Sequence, residues 1–118
     1  MADSTLMMTM LLDFYGSLLS DKQEEYLDLY LNEDLSLSEI AERSGITRQG
    51  VHNVIKSAVK SLEGIEHKTG IVEKWLNTKR TLDRASEVAK DLLDNLETEG
   101  RFSEQARELV ELLVACTA

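Results

Sequence analysis

The stretch Leu35–Leu62, LSLSEIAERSGITRQGVHNVIKSAVKSL, limits what this chain can fold into more than any other. It holds two helix starts and one forced stop. Ser36 is a natural N-cap, and Glu39 three residues later completes a capping box. Leu35 and Ile40 flank that cap and can pack as a hydrophobic staple. A short helix then runs to about Ser44. Gly45 ends it, because the position after a helix wants a left-handed backbone that glycine adopts cheaply. Thr47 caps the next helix, with Ile46 and Val51 as a second staple. In that helix Val51, Val54, Ile55, Ala58 and Leu62 share one face at the 3.6-residue period. Ala41 is small where the two helices must cross closely. The spacing predicts a helix-turn-helix over residues 36–62.

Arg48, Gln49, His52, Asn53, Lys56 and Lys60 are left on the outward side of the second helix. In nucleic-acid-binding helix-turn-helix proteins that helix enters the major groove with such side chains. With Arg43 they form the candidate nucleic-acid-binding set. A short helix, a glycine turn and a longer helix also occur in helical domains that bind no nucleic acid.

The charge distribution bears on that choice. The formal net charge of −9 argues against a general affinity for polyanions. From Met1 to Glu42 there is one base against ten acids. From Arg43 to Leu62 there are four bases, Arg43, Arg48, Lys56 and Lys60, and no acid. From Glu63 onward acids again exceed bases, twelve to eight. The acid-free block coincides with the second half of the motif, as a local anion-binding surface on an acidic body would. An ordinary solvated face is the competing explanation.

The 118 residues are enough for one domain with an appended helical part. We expect residues 1–70 to form a helical domain around the motif, and residues 71–118 a C-terminal extension for packing or dimerisation. The absence of proline suits uninterrupted helices. The single Cys116 excludes an internal disulfide framework and fits a reducing compartment. The apolar run Leu6–Leu12 follows Asp3 and lacks the basic flank of a signal peptide. No stretch is long and apolar enough to span a bilayer.

Along the chain, Asp3 or Ser4 can cap a first helix running to about Leu19. Leu6, Met7, Met8, Met10, Leu11, Leu12, Phe14, Tyr15, Leu18 and Leu19 make it apolar over more than half its girth, so it should be buried on several sides. The methionines read better as core than as an adaptable binding surface. Ser20 and Gln23 make another capping box. The helix they start should bury Tyr26, Leu27, Leu29, Tyr30 and Leu31. Its Glu24, Glu25 and Asp28, with Glu33 and Asp34 after it, read as a solvated face or as a contact for a basic protein.

Gly64 and Gly70 bracket GIEHKTG, where a helix end or kink is expected. A long amphipathic helix should follow from about Ile71 to Leu96. It carries Val72, Trp75, Leu76, Leu82, Ala85, Val88, Ala89, Leu92, Leu93 and Leu96. Thr78 and Lys79 interrupt its heptad seam, so it is not a clean coiled coil. A turn at 97–101 and a cap at Ser103 lead into a last helix with Phe102, Ala106, Leu109, Val110 and Leu113 on one face. The first and fifth helices together carry more apolar surface than a small monomer buries, which predicts a homodimer. No strand pattern is visible. The expected class is all-α, a helix-turn-helix core without a wing, followed by long C-terminal amphipathic helices.

Nothing points to catalysis. His52 and His67 are the only histidines, and no HExxH, paired-cysteine or glycine-rich phosphate motif is present. His52 reads as an exposed helix residue that can touch phosphate or base. No cofactor or metal is expected, and the chain reads as a binding protein.

Several segments carry a resemblance. They are Asp13-Phe14-Tyr15 with Leu18-Leu19, Asp21-Lys22-Gln23, Tyr26 and Tyr30, Leu37-Ser38-Glu39-Ile40-Ala41, and Arg48-Gln49-Gly50-Val51. Over about Leu11 to Ile71 the chain resembles the bacterial YlxM family. The motif is also similar, in a generic way, to the promoter-reading fourth region of sigma factors. The YlxM resemblance implies a cytoplasmic helical protein with a helix-turn-helix that takes part in the signal recognition particle pathway. Its partners would be that particle's RNA, its GTPase, or both. A DNA-binding transcriptional regulator, and a helical dimer whose motif is only structural, stay open beside it. Gly50 stands where alanine is expected, at about 1 kcal/mol of helix propensity. His52 replaces an aromatic residue. The region after Trp75 is not diagnostic, and the helix from Ser103 looks like an addition.

Overall fold

A computed structural model describes residues 2–98 and 104–117, and these form helices with no strand among them. α1 spans Ala2–Tyr15 and is followed by one 3-10 turn, Gly16–Leu18. α2 spans Asp21–Leu31, α3 Leu37–Ser44 and α4 Arg48–Thr69. α5 covers Ile71–Thr98 and α6 Glu104–Thr117. The fold is all-α, and its backbone separates into two units, Met1–Val72 and Glu73–Ala118.

In the first unit α1, α2 and α3 all pack on α4. The apolar stripe of α4 supplies Val51, Ile55, Ala58 and Leu62, all buried. Leu11, Leu12 and Tyr15 from α1, Tyr26 and Leu27 from α2, and Ile40 and Ala41 from α3 close over it. Leu27, Ile40, Val51, Leu62 and Val72 are essentially inaccessible to solvent. Burying a side chain of that kind contributes roughly 1.5–3 kcal/mol. These few residues therefore dominate the stability of the unit.

The end of α4 is held by a junction with no counterpart in the sequence pattern. Gly70 takes a left-handed backbone, φ 63°, and donates its N–H to the Glu66 carbonyl at 2.8 Å. α5 starts at the next residue, so its first amides need acceptors. Glu66 Oε1 accepts from the Val72 N–H at 3.1 Å and from the Tyr15 hydroxyl at 2.7 Å. Thr69 Oγ1 accepts from the Ile71 N–H at 3.4 Å and lies 2.7 Å from the Tyr15 oxygen. The single Tyr15 proton goes to the carboxylate, so Thr69 donates to the phenol oxygen.

The second unit consists of the rest of α5 and all of α6. Ser86 and Ala89 are its buried residues among those described. Leu82, Ala85, Leu93 and Leu96 of α5 and Ala106, Val110 and Leu113 of α6 are half-buried. Arg107 of α6 donates to Glu97 of α5 at 2.9 Å. Lys79–Asp83 and Arg84–Glu87 are exposed ion pairs along α5. Such pairs are worth little individually.

Several expectations need correction. α1 begins at Ala2, so Asp3 and Ser4 lie inside its first turn and not before it. It ends at Tyr15, well short of Leu19. The chain must become extended at Leu19 and Ser20 to place Ser20 as the cap of α2, and the tight 3-10 turn makes that change. α1 is not buried on several sides within the chain: Leu6 is 63% exposed, and Leu18, in the 3-10 turn that follows, 69%. Tyr30 is exposed and Leu29 and Leu31 only half-buried, because α2 meets its neighbours chiefly through Tyr26 and Leu27. The helix end expected within GIEHKTG falls at Gly70, and Gly64 lies inside α4. Its site is open, and helix propensity alone does not break a helix anchored on both sides by Leu62 and Glu66. α5 runs on to Thr98, so residues 97 and 98 of the turn expected at 97–101 are helical. Its remainder, Phe102 and the Ser103 cap lie outside the described residues. Trp75, Val88, Leu92 and Leu109 are exposed.

Candidate nucleic-acid interface

The interface is built on α3 and α4, and the sequence sets both of its turns locally. Ser36 Oγ accepts from the Glu39 N–H at 3.1 Å, and Glu39 Oε1 accepts from the Ser36 N–H at 3.1 Å. Both halves of the expected capping box are formed. Gly45 takes φ 71°, ψ 25°, and the Ala41 carbonyl accepts from the amides of Gly45 and Ile46. Thr47 Oγ1 accepts from the Gly50 N–H at 3.0 Å and starts α4. The turn is thus closed by side chains within a few residues of it.

Gly50 has a local reason that its helix propensity hides. A Cβ built there would lie 3.2 Å from Thr47 Oγ1 and 3.5 Å from Ile46 Cδ1. Alanine would press on the capping hydroxyl itself. The sequence leaves this out because the crowding depends on the cap being made.

Arg43, Arg48, Gln49, His52, Asn53, Lys56 and Lys60 are all exposed. Arg43 sits in the last turn of α3, and the other six are on α4. Arg48, His52, Lys56 and Lys60 follow one another every four residues, so the row winds about 40° around the helix per step. Gln49, Asn53 and Ser57 form the neighbouring row, with Gln49 Nε2 donating to Asn53 Oδ1 at 3.1 Å. From Arg48 to Lys60 the set extends about 18 Å along the axis. The ion pairs among the described residues engage Lys79, Arg84 and Arg107, and none engages the cations of α3 and α4.

Sequence reasoning left out what lies beside this face. Gln23 Nε2 of α2 donates to Ser57 Oγ of α4 at 3.0 Å. Lys22 and Gln23 line a shallow groove with Asn53, Val54 and Ser57. Counting charge by blocks placed Lys22 in the acidic half of the chain; only a helix-by-helix map of faces could have separated it.

A metal or redox site is a different matter. Among the described residues no group of three or more His, Cys, Asp or Glu side chains could hold a metal ion. His52, His67 and Cys116 are exposed. No described helix is long and apolar enough to cross a membrane.

Capped helices, a left-handed glycine between them and an exposed polar face on the second define a helix-turn-helix protein. Comparison with known proteins narrows this. Residues 2–110 match UPF0122, the YlxM / p13 like helix-turn-helix family. A UPF0122 protein of Acetivibrio thermocellus is 44% identical over 111 residues, covering 86% of this chain and 92% of that protein. A UPF0122 protein of Thermoanaerobacter sp. (strain X514) is 41% identical over 115 residues, covering 95% and 98% of the two chains. One from Desulforamulus reducens is 46% identical over 70 residues, 59% of this chain and 60% of that protein. The chain belongs to the UPF0122 family. The match also corrects the view that the C-terminal part is an addition: it extends past Trp75 and into α6.

Proposed function

We propose that this protein is a nucleic-acid-binding regulator of the signal recognition particle pathway, acting in the cytoplasm as a homodimer and without catalytic activity. The observation that carries the nucleic-acid part is the exposed basic row of α4, which no ion pair among the described residues engages, held behind a fully capped turn. The YlxM likeness is what favours the signal recognition particle, through contact with its RNA, its GTPase or both. Residues 1–70 bind, and residues 71–118 supply the dimer contact. The exposed Leu6 of α1, Leu18 of the 3-10 turn after it, and Val88 and Leu92 of α5 support a covering partner.

Within the site the roles divide by position. Arg48, Gln49, His52 and Asn53 occupy the first turns of α4, the part that reaches base edges in such motifs. Arg43, Lys56 and Lys60 meet phosphate. A DNA-binding transcriptional regulator is the second reading, favoured by the adjacent Gln49 and Asn53, since such amides pair with adenine in the major groove.

A salt titration of fluorescence anisotropy on duplex DNA and on signal recognition particle RNA tests this. With about three cations engaged, the slope of log affinity against log salt should be near −2 to −3. Lys56→Glu should weaken binding to all sequences alike, while Arg48→Ala or Gln49→Ala should change sequence preference. Unchanged binding by Lys56→Glu, with no salt slope on either ligand, leaves the motif as scaffold. Attention then moves to the acidic side around Glu24 and Asp28 as a contact for a basic protein.

A further inference from the structure

Three of the four acids of α2, Asp21, Glu24 and Asp28, are on a different side of the helix from its base, Lys22. Asp21, Glu24, Glu25 and Asp28 line a groove together with Leu12, Asp13, Ser17 and Asn32, against α1. Lys22 lines none of it. It lies instead between two other grooves: one shared with Arg43 and Ser44 at the end of α3, the other with Asn53, Val54 and Ser57 of α4. Glu25 borders the first of these as well and is the one acid beside Lys22 there. At 3.6 residues per turn, positions 21, 24, 25 and 28 share one stripe of α2, and position 22 falls outside it.

The placement of Lys22 is fixed rather than incidental. Ser20 and Gln23 close the capping box at the start of α2. The same Gln23 side chain donates to Ser57 Oγ on the polar side of α4. The first turn of α2 is therefore tied to the row Gln49–Asn53–Ser57 next to the basic row. Lys22 is exposed and bridges the gap between Arg43 and α4.

We propose that Lys22 is a phosphate contact of the nucleic-acid surface, extending it from α3 and α4 onto α2. This rests on the reading of α4 as a nucleic-acid-binding helix. The shared chemistry is the phosphodiester of DNA or RNA. A point charge on a flexible stem, with three donors, suits a phosphate oxygen and carries no base information.

The experiment is anisotropy against salt with the full chain, on a mixed-sequence DNA duplex and on a single-stranded RNA. The variants are Lys22→Ala, Lys22→Arg, Lys56→Ala and Lys68→Ala. Lys22→Ala should reduce the magnitude of the salt slope by about 0.9 on the duplex or about 0.7 on the single strand. The loss should be equal on duplexes of different sequence, and its confinement to one probe names the nucleic acid contacted. Lys22→Arg, which keeps the charge, should keep the parental slope; Lys68→Ala, at the far end of α4, should also keep it. If Lys22→Ala has the parental slope while Lys56→Ala lowers it, Lys22 is not a contact and the reading of α4 stands. If the parent protein binds neither probe, that reading fails and the Lys22 contact with it.

Discussion

The two units differ in what specifies them. In Met1–Val72 the elements are marked locally: Ser20, Ser36 and Thr47 start α2, α3 and α4, and Gly45 and Gly70 stop α3 and α4. Its helices then bury twelve apolar side chains in one core. The described residues of Glu73–Ala118 are long amphipathic helix with two buried residues, Ser86 and Ala89. Val88, Leu92, Leu109 and Leu112 are each at least half exposed. A capped, buried core makes a unit that specifies itself. An amphipathic helix without its own core specifies a face and leaves the choice of partner to something else.

Core truncation separates the two most sharply. Leu27→Ala should destabilise the first unit by about 3 kcal/mol, because Leu27 is fully buried and its removal leaves a cavity. Leu92, 53% exposed, should lose less than about 0.5 kcal/mol on the same change if nothing covers it. Urea unfolding at two protein concentrations reads both. A large, concentration-dependent loss for Leu92→Ala would show that this face is buried against a second copy. Sedimentation equilibrium of the parent then gives the decisive answer: a monomer at tens of micromolar, roughly a working concentration for linkage of this kind, removes the dimer.

The junction under α1 should give the next largest effect. Tyr15→Phe removes the hydroxyl that joins Glu66 and Thr69, with a loss of about 1.5 kcal/mol, the low end for a hydrogen bond to a charged group. Glu66 keeps its bond from the Val72 amide, so the first turn of α5 stays capped. Thermal melts of Tyr15→Phe and Ser36→Ala make a useful pair, since a lost N-cap costs about 1 kcal/mol. If Tyr15→Phe is neutral, the hydroxyl is satisfied as well by water and the junction does not hold the unit together.

That pair also shows what a reader of the sequence can and cannot find. Ser36–Glu39, Ser20–Gln23, Thr47 and Gly45 act within three or four residues, so their chemistry is visible in the chain itself. The apolar stripe of α4 was legible by its period, and so were the exposed Arg48, His52, Lys56 and Lys60. Tyr15 and Glu66 are 51 residues apart, and no local pattern connects them. Lys22 was hidden for a related reason: it sits in sequence among Asp21, Glu24 and Glu25, while in space it lies beside Arg43, Asn53 and Ser57, with Glu25 the one acid there. The apolar positions of α5 and α6 were legible too, but a stripe says only that a face prefers cover.

The smallest effect concerns two glycines in one helix. Gly64 and Gly50 both lie inside α4, and propensity alone assigns each about 1 kcal/mol to gain from alanine. Their surroundings differ. A Cβ at Gly64 meets nothing within 4 Å, so Gly64→Ala should stabilise the protein by about 0.5–1 kcal/mol, partly by restricting the unfolded chain. At Gly50 the added carbon lies 3.2 Å from the Thr47 hydroxyl that caps α4. The cap must shift by a few tenths of an ångström or weaken, and either offsets the gain in propensity. Gly50→Ala should therefore fall short of Gly64→Ala in melting temperature, and should reduce binding on any probe that reads the first turn of α4. Equal stabilisation by the two substitutions would show that Thr47 yields freely, and that Gly50 is not there to make room for its cap.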